Sequence, residues 1–405
     1  MSKIKVGING FGRIGRLALR AAWEWPDMEF VAINDPGADA HTLAHLLNFD
    51  SVHGRWGHEA GVDGDHIMIG EQRIRVTRNK TIAETDWSGC DLVIEAVFEN
   101  MDLKKQIFTE LDQVMKKGAI LATNTSALNI DEIAAVTSRP QDVIGLHFFS
   151  PANVMKLLEI VRAEKTADDV IATSMNLAKT INKIATLVGV CPGFVGNRIL
   201  FARQIQAGKL VYQGIMPWEV DAALNAFGFK MGPFQMSDLA GLDIGWSKGA
   251  TTDNPIRDAL CELDRRGQKT KAGFYDYDEN RRPVPSDITA GIIRNITGAE
   301  PSQMAADEIL KCCIHPMINE AVKILEENKA QRPSDIDVVW LNGYGWPLNT
   351  GGPMMYGDMV GPAAVLETME QLGVDDPAFT PAQTLRDLAA SSGKFTEIDT
   401  GGLKV

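Results

Sequence analysis

Two groups of residues in this chain have types and spacings that can do chemistry. The first is Gly10-x-Gly12-x-x-Gly15, with Asp35 following 20 residues after Gly15. Such a turn suits a pyrophosphate. Gly10 makes the turn, Gly12 lets the backbone approach the phosphates, and Gly15 lets a helix pack close to a sheet. The start of that helix offers unpaired N–H groups and partial positive charge to the anion. Asp35 suits the hydroxyls of an adenine ribose and repels a 2′-phosphate. No arginine stands next to it in sequence, so the pattern points to NAD and away from NADP. The second group is His147, with Glu159 twelve residues on. Oxidising a secondary alcohol needs a base for the hydroxyl proton, and an imidazole titrates near neutrality. A carboxylate on the other ring nitrogen fixes the tautomer and stabilises the imidazolium formed. By spacing alone, a satisfied core histidine stays open as the alternative.

These residues need a framework. A strand is expected over 3–9, a tight turn over 10–15, a helix over 16–24 and a strand over 30–34 ending at Asn34-Asp35-Pro36. That is a βαβ unit of the length a dinucleotide fold requires. Residues 37–90 are less regular, with a helix over 42–47 and short strands over 66–69 and 73–77. Buried strands then recur over 91–96, 120–124, 143–147, 156–161 and 186–190, with helices over 103–115, 130–136 and 167–181. His147 falls at the C-terminal end of its strand, where α/β sheets bind ligands. After Cys191-Pro192-Gly193 the texture becomes helical, from 194–212 and 217–226 onward, with a polar, proline-containing loop around 276–285.

The helical part repeats itself. Val220-Asp221-Ala-Ala-Leu224 is echoed by Ile336-Asp337-Val-Val-Trp340, Phe227-Gly-Phe229 by Tyr344-Gly-Trp346, and Gly232-Pro-Phe-Gln-Met-Ser-Asp238 by Gly352-Pro-Met-Met-Tyr-Gly-Asp358. A nearly constant offset points to duplication of an all-α unit. The expected fold class is α/β: a Rossmann-type, mostly parallel, doubly wound sheet over 1–190, then two repeated all-α units over 191–285 and 300–400.

The bulk composition narrows the function classes. A net charge of −13 and the absence of a basic run disfavour nucleic acid as a partner. The five cysteines form no C-x-x-C pair, and Cys312-Cys313 is poor metal geometry. They read as small buried hydrophobes in a reducing compartment. His41, His45, His53 and His58 lack helix-spaced ligand partners, so no metal is expected. No signal peptide and no apolar run near twenty residues is present, so neither a membrane partner nor export is expected, and the protein is expected in the cytosol.

Two family resemblances meet in this chain. From 1 to about 96 it resembles phosphorylating glyceraldehyde-3-phosphate dehydrogenases, through Val6-Gly-Ile-Asn-Gly-Phe-Gly-Arg-Ile-Gly-Arg16, Ala32-Ile-Asn-Asp-Pro36 and His45-Leu-Leu-Asn-Phe-Asp-Ser-Val-His-Gly-Arg55. The resemblance implies that Asn9, Arg13 and Ile14 join Gly10, Gly12, Gly15 and Asp35 around NAD. It ends before that family's Ser-Cys-Thr-Thr-Asn nucleophile, which this chain lacks. From 91 to about 397 the chain resembles the L-3-hydroxyacyl-CoA dehydrogenase region of bacterial fatty-acid β-oxidation enzymes. The residues that carry this are Asp91-Leu-Val-Ile-Glu-Ala-Val-Phe-Glu-Asn100, Ala122-Thr-Asn-Thr-Ser-Ala-Leu128, Gly145-Leu-His-Phe-Phe-Ser-Pro-Ala152, Val154-Met-Lys-Leu-Leu-Glu159, Gly193-Phe-Val-Gly-Asn-Arg198 and 231–243.

The second resemblance implies an NAD-dependent oxidoreductase acting on an L-3-hydroxyacyl-CoA. It makes His147 the general base and Glu159 its orienting partner. Ser126 and Asn197 take the substrate oxygen, and Glu99, Lys104 and Asn124 lie beside the nicotinamide ribose. It also implies that the second helical copy stands where single-copy relatives place a partner subunit, which leaves a monomer or a homodimer open. The junction falls inside one strand, at 91–96, so the chain reads as a chimera. What changes is 37–90, where this family has a helical hairpin that helps hold the CoA tail. Two further readings are a glyceraldehyde-3-phosphate dehydrogenase-like protein without its catalytic cysteine, and a non-catalytic NAD-binding chimera.

Overall fold

The computed structural model describes residues 3–50, 54–374 and 376–401. His53, and with it part of the stretch that resembles glyceraldehyde-3-phosphate dehydrogenase, lies outside the described residues. By contacts the chain divides into two compact units. One comprises Met1–Asn197, Glu327–Tyr344 and Asp399–Val405, and the other Arg198–Glu326 and Gly345–Ile398.

The first unit is built on one ten-stranded sheet. In chain order its strands are β1 (Ile4–Asn9), β2 (Met28–Asn34), β3 (Ala60–Asp63), β4 (His66–Ile69), β5 (Gln72–Thr77), β6 (Leu92–Glu95), β7 (Ile120–Thr123), β8 (Val143–Phe148), β9 (Leu157–Arg162) and β10 (Ile184–Gly189). Their spatial order is β10-β9-β8-β7-β6-β1-β2-β5-β4-β3. The central run from β5 to β8 is parallel throughout. β9 reverses against β8, and β3 and β4 form an antiparallel edge beyond β5. Central strands covered on both faces must be apolar without alternation. Every residue of β6 and β8 is buried, including Glu95 and His147, the polar exceptions that matter below. The order of the strands reverses beside β1, the point where such sheets open a ligand crevice.

The helices of this unit are α1 (Arg13–Ala22), α2 (Ala40–Asn48), α3 (Met101–Val114), α4 (Ile130–Ala134), α5 (Asp168–Thr180) and the first residues of α6 (Phe194–Tyr212). The helix expected at 16–24 begins at Arg13, directly on the glycine turn, so its free N–H groups lie where a phosphate needs them. α2 and α3 are capped by side chains: Asp39 accepts from Thr42 N–H, and Asn100 from Leu103 N–H. α1 has no such cap and no acidic residue in its first turn. Residues 37–90 hold α2, a small ribbon of Phe49–Asp50 with Gly54–Arg55, and β3 to β5, with no helical hairpin among the described residues. β3 is an addition to expectation. Its Ala-Gly-Val-Asp run carries no apolar alternation and becomes a strand only by pairing with β4.

The second unit contains the rest of α6, then α7 (Pro217–Phe227), α8 (Pro233–Ala240), α9 (Pro255–Glu262), α10 (Asp287–Thr297) and α11 (Ala306–Glu326). Helix α12 (Pro333–Gly343) follows in sequence but belongs to the first unit, where it packs on β9 and β10. The second unit closes with α13 (Pro353–Val360), α14 (Pro362–Gly373) and α15 (Gln383–Ser391). Most of α11 is buried, and it packs on α7, α13 and α14. The loop expected at 276–285 is instead a short hairpin, Tyr275–Tyr277 with Pro283–Pro285. Its three-residue strands hide among prolines and charges, which a two-stranded edge tolerates. The repeated acid Asp221 accepts from Phe234 N–H, Gln235 N–H and Tyr275 O–H, which fixes α8 against α7. A Cβ at Gly232 would collide with it. Among the described residues no helix is long and apolar enough to cross a membrane.

Candidate active site

Antiparallel pairing of β8 with β9 sets His147 directly opposite Glu159. His147 Nδ1 lies 2.7 Å from Glu159 Oε2, with both side chains almost wholly buried. The other carboxylate oxygen accepts from the backbone N–H of Gly196 at 2.9 Å, in the first turn of α6. A buried carboxylate with both oxygens engaged is held in place. It directs an Nδ1–H toward itself and leaves Nε2 as the basic nitrogen. Phe149 and Phe194 close on the ring, at centroid distances of 4.4 and 5.7 Å.

The connection from His147 to Glu159 is tied down by a residue that sequence reasoning missed. The Lys183 ammonium donates to the carbonyls of Ala152 and Met155. Burial pushes this lysine down to about 8. A lysine one residue before an apolar strand gave no signal of that role.

Ser126 and Asn197 are brought together from the end of β7 and the start of α6. Asn197 Nδ2 donates to the Ser126 carbonyl at 3.3 Å, and Asn197 Oδ1 accepts from the Tyr344 hydroxyl at 2.7 Å. Glu99 Oε1 gathers the other side of this loop, accepting from Thr125 Oγ1, Ser126 N–H and Ser126 Oγ at 2.6, 2.8 and 3.2 Å. Lys104 is fully buried. Its ammonium sits 2.8 Å from both oxygens of Glu95 and 3.8 Å from Glu99. Glu95 also accepts from Thr123 Oγ1 and Val97 N–H. Asn124 Oδ1 accepts from Phe148 N–H, which links β7 to the histidine strand. Thus Glu99, Lys104 and Asn124 cluster at the ends of β6 and β7. Glu95, which the sequence reading left without a role, is the buried anion that holds Lys104.

Asn9, Gly10, Gly12, Arg13, Ile14 and Asp35 line a cavity of about 460 Å³, with Asn79, Lys80, Ile82, Val97, Phe98 and Leu103 among the other walls. Gly10 has φ +95°, which favours glycine, and a Cβ there would press on the Ala96 carbonyl. A Cβ on Gly15 would collide with the Gly10 carbonyl, whereas one on Gly12 would meet nothing within 4 Å. Space over Gly12, an uncapped helix start and a volume of that size fit a dinucleotide. Asn9 Oδ1 accepts from Asn34 Nδ2, and Asp35 accepts from Phe11 N–H and Gly37 N–H, which anchors the turn.

Four thiols are poor nucleophiles. Burial raises Cys90 to about 11 and Cys313 to about 12, and it raises Cys261 and Cys312 as well. Among the described residues no three His, Cys, Asp or Glu side chains gather as metal ligands.

Comparison with known proteins bears on the whole chain. Residues 64–191 match the NAD binding domain of 3-hydroxyacyl-CoA dehydrogenase, and its C-terminal domain matches twice, at 193–277 and 309–400. Residues 4–100 match the NAD binding domain of glyceraldehyde 3-phosphate dehydrogenase. The peroxisomal bifunctional enzyme of Cavia porcellus is 45% identical over 95% of this chain and 56% of its own length. That of Homo sapiens is 47% identical over 76% of this chain and 47% of its own. The chain therefore spans about half the length of these curated relatives. The dehydrogenase part of multifunctional enzyme 1 from C. elegans superposes with a TM-score of 0.64 at 28% identity, covering 96% of this chain and 90% of that one. A 3-hydroxybutyryl-CoA dehydrogenase from Escherichia coli shares the fold, with a TM-score of 0.74 at 22% identity over 96% of this chain and 99% of that one.

The expectation of a cytosolic protein is overturned, because the animal and plant relatives are named peroxisomal or glyoxysomal enzymes. Entry into such a compartment is directed by a short receptor-read address, which composition and apolar patterning do not reveal. The sheet, the cavity and the His147–Glu159 pair, taken with these matches, place the chain in the 3-hydroxyacyl-CoA dehydrogenase family, an NAD-dependent oxidoreductase family.

Proposed function

We propose that this chain oxidises L-3-hydroxyacyl-CoA to 3-ketoacyl-CoA and catalyses the reverse reduction. The observation that carries this is the cross-strand pair of His147 and Glu159, with the carboxylate fixed from behind by Gly196 N–H. His147 Nε2 takes the proton of the C3 hydroxyl, and Glu159 stabilises the resulting imidazolium. Ser126 and Asn197 hold the reacting oxygen. Asn9, Gly10, Gly12, Arg13, Ile14 and Asp35 hold NAD, with Gly15 packing the helix beneath it and Glu99, Lys104 and Asn124 ordering the loops on the nicotinamide side. When bound, NAD supplies the acceptor for the C3 hydride. The thioester chemistry of the other resemblance has no support, since the Ser-Cys-Thr-Thr-Asn run that carries its nucleophile does not occur in the sequence.

NADH-dependent reduction of acetoacetyl-CoA tests the proposal, with His147→Ala as control. Turnover is expected, with a loss on the order of a thousandfold in the variant. Turnover that survives the substitution sinks the mechanism, and NADH binding without turnover favours a non-catalytic role. We propose further that residues up to about 90 derive from a glyceraldehyde-3-phosphate dehydrogenase-type domain joined within β6, as the overlapping matches at 4–100 and 64–191 support. Domain limits of 1–190, 191–285 and 300–400 follow from the same proposal, with the twofold match of the C-terminal domain in its favour.

A further inference from the structure

At one position of the helical repeat the second copy adds a hydroxyl. Phe227 of the first copy is echoed by Tyr344 of the second, and Tyr344 falls in the second C-terminal-domain match, whereas Asn197 falls in the first. The Tyr344 hydroxyl donates to Asn197 Oδ1 at 2.7 Å. An amide has two faces, one accepting and one donating, and a donor on the oxygen selects one orientation. With Oδ1 engaged, the Asn197 NH₂ group is turned to the Ser126 side, 3.3 Å from the Ser126 carbonyl.

The tyrosine is itself held. Its ring stacks on Trp340 with centroids 4.5 Å apart and a 24° interplanar angle. It meets Phe149 edge-on at 5.4 Å and 82°. It also approaches Gly196 so closely that a Cβ there would lie 2.5 Å from the ring. Gly196 is the residue whose N–H binds Glu159. One turn of α6 is thus held from two sides, by Glu159 and by Tyr344.

We propose that Tyr344 is a positioning residue for hydride transfer, holding the Asn197 amide so that its second N–H, the one not directed at the Ser126 carbonyl, faces the oxygen of a 3-hydroxyacyl or 3-ketoacyl thioester. A residue of the second helical copy then completes a site whose other polar groups come from the first two hundred residues. This rests on the role of Asn197 proposed above.

The test is Tyr344→Phe, which keeps the ring and removes only the hydroxyl. In acetoacetyl-CoA reduction kcat falls about threefold to tenfold, while the KM for NADH and the melting temperature are unchanged. In an Asn197→Ala background the same substitution changes nothing further, because its partner is already gone. Wild-type kinetics in the single variant, an undiminished effect in the Asn197→Ala background, or a lower melting temperature with unchanged kcat overturns the proposal and leaves the dehydrogenase reading intact. A wild-type chain that binds NADH but turns over no acetoacetyl-CoA overturns both.

Discussion

At the scale of single residues, the site is governed by how buried charges are compensated. Glu159 is wholly buried and tolerates that burial through His147 and Gly196 N–H. Glutamine in its place keeps the shape but loses the charge that stabilises an imidazolium. Glu159→Gln is therefore expected to lower kcat about a hundredfold or more with little change in acetoacetyl-CoA KM, and steady-state kinetics read that split. Lys104 and Glu95 form a second buried pair, both fully inaccessible. Removing one partner leaves the other uncompensated, so Lys104→Ala should cost roughly 3–5 kcal/mol. The check is a lower urea midpoint with an unchanged slope. A variant as stable as the parent would refute the claim that Glu95 depends on the ammonium for compensation.

At the scale of elements, the turn between β1 and α1 separates two uses of glycine. Gly15 lies under the turn, where a side chain meets backbone oxygen that cannot move aside. Gly12 faces open space in the cavity wall. Gly15→Ala is expected to lower the melting temperature and NADH affinity together. Gly12→Ala should weaken NADH binding about tenfold or more, by blocking approach to the phosphates, and leave the melting temperature unchanged. Fluorescence titration beside a thermal melt distinguishes them, and equal melting losses in both would count against a ligand over Gly12. The turn of α6 at 193–197 is the matching element on the chemical side. It delivers Gly196 N–H to Glu159 and the Asn197 amide to Ser126.

At the scale of the molecule, the second helical copy bears on assembly and on acid stability. The C-terminal domain matches twice, and sedimentation equilibrium separates the two assemblies the duplication leaves open, a monomer at one chain mass and a homodimer at two. One chain mass at all concentrations is expected if the second copy stands where single-copy relatives place a partner, and a concentration-dependent dimer would refute that. Buried His315, whose Nδ1 lies 2.8 Å from Thr368 Oγ1, is pushed down to about 4, chiefly by desolvation and further by Lys311. Its folded value lies below the unfolded one near 6.5, so the unfolded chain binds the proton first between those limits. Stability is therefore full above about pH 6.5 and falls by roughly 2–4 kcal/mol as the pH drops toward 4. His315→Gln should flatten that part of the stability profile. An unchanged acid slope would assign the loss to other groups.

Sequence alone determined what depends on local chemistry and periodicity. The glycine turn and the apolar strands β1, β2 and β6 to β8 followed from residue type and spacing, because backbone sterics and burial on both sheet faces leave few alternatives, whereas spacing made Asp35, His147 and Glu159 candidates only, and the family resemblance implied the roles of the last two. The helical repeat was legible for the same reason, since duplicated packing keeps the same residues. Other features needed the tertiary structure. Nothing in spacing says that β9 runs antiparallel to β8, yet that reversal sets Glu159 opposite His147. Nothing local marks Lys183 as the clamp on the intervening loop, Glu95 as the partner of Lys104, or Tyr344 as the partner of Asn197 across 147 residues of chain. Such contacts arise where a buried polar group must find a partner, and which partner it finds depends on the path of the whole chain.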